Sequence, residues 1–229
     1  MEFKKVEKLP IDIKDAVEKR VSTRSYEERS LTVEDRNKLM DFNGTLTNPF
    51  DVKINVQYIS KENGADDIKL GTYGTIKGAK DFLAITVKDE PFAMEAVGYQ
   101  FENLVLYATS MGLGTIWLAA TFSRKDFENA MSISKEDLFP CITPIGYPSA
   151  KTSIREKITR ASLGSKCRKA WNKLFFLENF EKNLSESDAK DYKNALEMFR
   201  LAPSSTNAQP WSVVKEGNIF HFFCNYKNN

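Results

Sequence analysis

A chain of 229 residues with 41% apolar and 28% charged side chains can build a sizeable core, as one large domain or two small ones. Its net charge of +2, with acidic and basic residues interspersed, argues against a nucleic-acid or membrane-surface partner. Three widely spaced cysteines without a CxxC, and a single histidine, argue against a disulfide scaffold, a His-based metal site and a Ser-His-Asp triad. A reduced, cytoplasmic chain with no metal is expected.

The first residues are charged and no apolar run follows, so no secretory leader is expected. Pro10 and Asp12 open a short helix to about Arg20. Val21 to Tyr26 then reads as extended, and Thr32, followed by Glu34 and Asp35, as the N-cap and acidic first turn of a helix through about Phe42. Strands are expected over Val52–Ile59, which alternates apolar and polar residues, and over the apolar Asp81–Val87. Phe92–Met111 is a long, largely apolar helix. The charge-free run Leu104–Phe122 approaches the length of about 20 residues that spans a bilayer. Gly112 and Gly114 interrupt it, and it reads better as a buried helix, a glycine break and a buried strand over Thr115–Ala120.

Lys125–Met131 reads as a short helix, and Ile142–Pro148 as a strand ending in a Gly-Tyr-Pro turn. Ser149–Lys173 is basic and irregular, with Lys151, Arg155, Lys157, Arg160, Lys166, Arg168 and Lys169. A helix over Ser185–Arg200 leads into the loop APSSTNAQPW, residues 202–211. Trp211–Phe223 then reads as a strand, a turn at Glu216-Gly217-Asn218 and a second strand. His221 lies in that last strand and reads as a structural residue rather than a base.

Helix, polar loop and strand occur twice, beginning near Ser30 and near Asn183. The loop FNGTLTNPF at 42–50 reads as a worn copy of the loop at 202–210. Internal duplication and chance recurrence of a common unit both fit. The organisation expected is one domain over 1–229, with halves at about 11–150 and 180–229 joined by a basic linker, 151–179.

Two segments carry chemistry. Arg20, Ser22 and Arg24 follow a helix with R-x-S-x-R spacing. In an extended segment alternate residues point to one side, so two guanidiniums and a hydroxyl converge. Such a set suits a phosphate, to which guanidinium offers planar, charge-assisted donors. A solvated basic turn pairing with Glu27 and Glu28 is the alternative. In the late loop, Pro203 and Pro210 stiffen a polar edge of Ser204, Ser205, Thr206, Asn207 and Gln209. That edge suits a flat, hydrogen-bonding heterocycle.

RVSTRSY at 20–26, the helix closing on GLG, TIWLAA, IGYP at Ile145–Pro148 and APSSTNAQPW together resemble the FMN-dependent nitroreductase family. The resemblance runs from about residue 11 to the C-terminus. It implies an α+β, nitroreductase-like fold, an antiparallel-rich mixed sheet surrounded by helices. It implies an FMN site formed by Arg20, Val21, Ser22, Arg24, backbone at Leu118 and Ala119, Arg155, Pro203, Ser204, Ser205, Asn207 and Gln209. Trp117, Trp211 and Phe122 are candidates to line it, each also being an ordinary core aromatic. NAD(P)H as reductant and a nitroaromatic or quinone-like acceptor follow, with chemistry centred on the flavin and no catalytic side chain. The late position of the loop resembles a subgroup in which one chain mimics the usual dimer, as a monomer or weak homodimer. A helix matching 92–111 does not follow the second strand pair. Alternatives are therefore a flavin-binding protein without catalysis, or a truncated scaffold without flavin.

Overall fold

The computed structural model describes residues 8–61, 70–131, 133–134, 136–150 and 167–225. The chain divides into two compact units, Met1–Ser153 and Ile154–Asn229. Arg155, Lys151 and most of the basic stretch lie outside the described residues.

In the first unit, helix α1 (Ile13–Lys19) is capped by Asp12, whose carboxylate accepts the N–H of Asp15 at 3.0 Å. Helix α2 (Val33–Thr45) starts where the sequence places it, with the Thr32 hydroxyl accepting from Asp35 N–H. A side-chain oxygen at that position satisfies a backbone donor that the helix leaves open. Strands β1 (Ile54–Ser60) and β2 (Asp81–Lys88) pair antiparallel, from Ile54 opposite Val87 to Ser60 opposite Asp81. Seven of the eight β2 residues are buried, as its apolar run requires.

Helix α3 (Ala93–Ser110) packs Ala96, Val97, Phe101, Leu104 and Ala108 into the main core with Leu39, Leu83 and Ile85. A left-handed Gly112 then turns the chain into β3 (Gly114–Thr115). Among the described residues no helix is long and apolar enough to cross a membrane. Helix α4 (Arg124–Ala130) and strand β4 (Asp137–Gly146) follow, giving an antiparallel sheet ordered β1-β2-β4-β3.

Two expectations need correction here. The strand expected over 115–120 is only two residues long, continued by an isolated bridge between Leu118 and Ile142. The strand expected from Ile142 begins five residues earlier, at Asp137. Pro140 hid that start, because proline cannot donate to a ladder. It is accommodated by a bulge: Phe139 and Pro140 lie between the paired Leu138 and Cys141, while their partners Val87 and Ile85 have only Thr86 between them.

In the second unit, strand β5 (Phe175–Leu177) runs parallel to β6 (Trp211–Glu216), which pairs antiparallel with β7 (Ile219–Cys224). Leu174, Phe175, Leu184, Ala189, Leu196 and Val213 form its core. β5 falls in the stretch read from sequence as a linker. The helix expected over Ser185–Arg200 is instead a series of turns, a 3₁₀ turn at Lys190–Tyr192 and helix α5 (Lys193–Leu201). The two helix–loop–strand units end in different settings. β1 is an edge strand, whereas β6 is the centre of its sheet.

Candidate functional site

The segment after α1 lies along β3. Ser22 bridges to Thr115, and Thr23 N–H donates to the Thr115 carbonyl at 2.9 Å. The approach is so close that a Cβ on Gly114 would sit 2.8 Å from the Thr23 side chain. Alternation sorts residues 22–25: Thr23 and Ser25 are buried, whereas Ser22 and Arg24 are partly exposed. Val21, directly after the C-cap of α1, is exposed and stands outside that pattern. Tyr26 anchors the end of the segment. It is buried, and its hydroxyl donates to the Thr23 carbonyl at 2.9 Å.

Arg20, the C-cap of α1, has a side chain only 7% exposed. Its Nε lies 3.8 Å from Oε1 of Glu102 on α3, and among the described residues its guanidinium makes no hydrogen bond. Glu102 accepts the indole N–H of Trp117 through Oε2 at 2.7 Å, and Trp117 packs edge-on against Phe101 at 4.8 Å. Burial pushes the Glu102 carboxyl above its ordinary pKa, against the opposing pull of the Arg20 charge and the Trp117 hydrogen bond. Glu102 carried no signal in the sequence, because its partners are 82 and 15 residues away and belong to different elements.

Arg24 is partly buried, with Nη1 3.5 Å from the Ser22 carbonyl. Further on, the N–H and C=O of Leu118 are both paired with Ile142, each at 2.9 Å. Ala119 beside it is exposed. Tyr147, the tyrosine of the IGYP turn, has a structural task. Its hydroxyl accepts Thr32 N–H at 3.2 Å and donates to Asp35, tying the turn to the start of α2. That bond is the main cause that draws the Asp35 pKa below its ordinary value.

In the second unit, the loop between α5 and β6 winds through a short 3₁₀ turn at Ser205–Asn207. Thr206, Asn207 and Gln209 have φ of 52°, 57° and 47°. Such left-handed non-glycine residues persist only where their surroundings fix them. The fixing groups come from Cys167–Lys169. Gln209, 4% exposed, accepts Lys169 N–H at 2.7 Å, and Arg168 Nη1 donates to Asn207 Oδ1 at 3.1 Å. Asn207 Nδ2 donates to the Cys167 carbonyl at 3.0 Å, and the Ser204 hydroxyl accepts Gln209 N–H at 2.9 Å. The sequence showed Arg168 and Lys169 only as members of a basic run. Pro203 and Ser204 are half-buried and Ser205 is exposed. The Trp211 indole N–H is buried without a hydrogen-bond partner among the described residues.

The other sequence candidates are placed more simply. Phe122 is a buried core residue stacked edge-on with Phe127 and Phe139. His221 lies 3.4 Å from Glu216 across the β6–β7 turn. Among the described residues no group of His, Cys, Asp and Glu could hold a metal.

An antiparallel four-stranded sheet packed against a long central helix, with an R-x-S-x-R segment laid along its edge strand, defines a nitroreductase-like α+β fold. The family model described as "Putative TM nitroreductase" matches residues 12–228, and the chain belongs to that family. A solved structure of a nitroreductase-titled protein from Thermotoga maritima is 21% identical, with a TM-score of 0.55. The match covers 95% of this chain and 78% of that one. A protein from Bacteroides thetaiotaomicron, titled NADH dehydrogenase/NAD(P)H nitroreductase, is 21% identical over 62% of this chain and 89% of its own, with a TM-score of 0.51. A structure titled an oxidoreductase containing FMN matches 62% of this chain and 79% of its own at 14% identity, with a TM-score of 0.51. No curated protein matches the chain.

Proposed function

We propose that this protein is an FMN-dependent oxidoreductase of nitroreductase type, reduced by NAD(P)H and oxidised by a nitroaromatic or quinone-like acceptor. Family membership supports the reading, as does the FMN named for a protein of the same fold. The observation that carries it is Arg20. A guanidinium 7% exposed, without a hydrogen bond among the described residues, stands beside one carboxylate at 3.8 Å. A nearly buried cation in that state has donors left for an anion, and a phosphate matches their geometry.

In this reading Arg20, Ser22 and Arg24 hold the phosphate, and the exposed Val21 and Ala119 contribute backbone. On the family resemblance Pro203, Ser204 and Ser205 are the proposed contacts of the loop to the flavin, while Asn207 and Gln209, whose side-chain amides are bonded to Cys167–Lys169, shape it. Lys169 and Arg168 keep that loop in its left-handed turns. Bound FMN would supply the redox chemistry, taking hydride from the nicotinamide and passing electrons to the acceptor. The protein's part is to orient the flavin and to shape the space in which donor and acceptor alternate.

The test is anaerobic titration of the FMN-loaded protein. Bleaching of the flavin absorbance by NADH or NADPH, reversed by a nitroaromatic or a quinone, is expected. FMN bound without bleaching would make the protein a flavin binder rather than an enzyme. If FMN neither loses fluorescence nor raises the melting temperature, the flavin reading fails, since a ligand of the native state must stabilise it. One FMN per chain is expected.

A further inference from the structure

Glu102 has a place in neither the sequence motifs nor the reading above, yet it is the one carboxylate paired with Arg20 among the described residues. It is not free to swing. Its Oε2 is held by the Trp117 indole at 2.7 Å, and Trp117 is held in turn against the fully buried Phe101. Oε1 approaches Arg20 on the Nε side at 3.8 Å, which is beyond hydrogen-bond range and within Coulomb range.

We propose that Glu102 is the resident counter-ion of Arg20, which stabilises the empty protein and competes with the phosphate of FMN for the same guanidinium. The inference rests on the reading of Arg20 as a phosphate ligand. Burying an unpaired charge is costly, so a fixed carboxylate steadies Arg20 when no ligand is bound. Once a phosphate arrives, the same carboxylate faces another anion across one guanidinium, and its repulsion lowers affinity. Because Trp117 fixes it, Glu102 cannot withdraw. Glu102 thus raises the stability of the free protein and lowers its affinity for FMN, two effects of opposite sign that a merely structural residue does not produce.

The test compares the wild type, Glu102→Gln, Arg20→Ala and the double variant, using FMN and, as a probe without phosphate, riboflavin. E102Q keeps an acceptor for Trp117 and removes the charge. It is expected to lower the melting temperature of the free protein and to tighten FMN binding roughly three- to thirtyfold, with riboflavin binding unchanged. Weaker or unchanged FMN binding by E102Q, while R20A loses its preference for FMN over riboflavin, overturns the inference and leaves the phosphate reading intact. If R20A binds FMN as the wild type does, the phosphate reading and this inference fall together. Should E102Q not fold without ligand, R20A/E102Q decides. Removing both charges must recover stability relative to E102Q alone, and no recovery overturns the inference.

Discussion

Lys169 holds Gln209 from both ends. Its backbone N–H donates to the side-chain Oε1 at 2.7 Å, and its ammonium donates to the Gln209 carbonyl at 2.8 Å. Gln209 Nε2 faces the Cys167 carbonyl at 3.4 Å and the Asn207 carbonyl at 3.3 Å. A residue with φ of 47° is thus locked by its own amide, and the loop is built before any ligand is considered.

Gln209→Ala removes the acceptor for Lys169 N–H and leaves an L-residue at the left-handed position. A loss of about 1–3 kcal/mol of unfolding free energy is expected, the cost of a buried donor left unpaired. Denaturant unfolding measures it. A loss under about 0.5 kcal/mol would show that the amide does not anchor the loop.

What the sequence revealed and what it hid divide along a physical line. Signals carried within a few residues were legible: the Thr32 cap, the apolar run of β2, the glycine after α3 and the turn at Gly217. Relations fixed by distant packing were not. The first half of β4 contains Pro140, which stands in a strand only because of a bulge set by the pairing with β2. The three-residue β5 is too short to show a period, and its identity depends on lying parallel to β6. Within the candidate site, the motif residues were legible and their holders were not. Nothing local connects Arg20 to Glu102, Asn207 to Arg168 or Gln209 to Lys169. Several motif residues also proved to be structural ties, Tyr26 and Tyr147 among them.

Gly78 makes a local prediction about the R-x-S-x-R segment. Its φ is +79°, and a Cβ there would lie 2.1 Å from the Tyr26 carbonyl oxygen. The neighbouring Lys77 N–H donates to the Arg24 carbonyl, and Tyr26 N–H donates to the Lys77 carbonyl, each at 2.9 Å. Gly78→Ala therefore sets a strained conformation and a backbone clash against the segment that bears Arg24. A loss of about 2–4 kcal/mol in unfolding free energy is expected, with weaker FMN binding. A variant as stable as the wild type would contradict this close approach.

The cysteines separate by environment. Cys141 is 3% exposed, and burial pushes its thiol from 9.0 up to about 12, whereas Cys167 and Cys224 are exposed. In the native protein at pH 8, alkylation should label Cys167 and Cys224 and spare Cys141. The stability consequence has a definite sign. The folded pKa is raised, so below pH 9 the thiol is neutral in both states. As pH rises toward 12 only the unfolded chain ionises, and stability falls. Three units at about 1.36 kcal/mol each make about 4 kcal/mol over the full window. Measured at pH 8 and 10.5, the stability advantage of the wild type over Cys141→Ala should shrink by about 2 kcal/mol. A constant difference would mean that Cys141 ionises in the folded protein as it does in the unfolded chain.

Arg24 is the group through which the proposed phosphate site is tested apart from Glu102. It lies four residues beyond Arg20 in the same extended segment, with its guanidinium near the Ser22 carbonyl at 3.5 Å. Its carbonyl is held by Lys77, so truncating the side chain leaves the backbone pairing in place. Arg24→Ala should weaken FMN binding by about 1.5–3 kcal/mol, the worth of hydrogen bonds to a charged group. Riboflavin, which shares the ring and lacks the phosphate, should bind the variant as it binds the wild type. Equal weakening of both ligands would move Arg24 from the phosphate to the ring or ribityl chain. An unchanged FMN dissociation constant would remove it from the site altogether, and would leave Arg20 and Ser22 as the only side chains of the motif available to the phosphate.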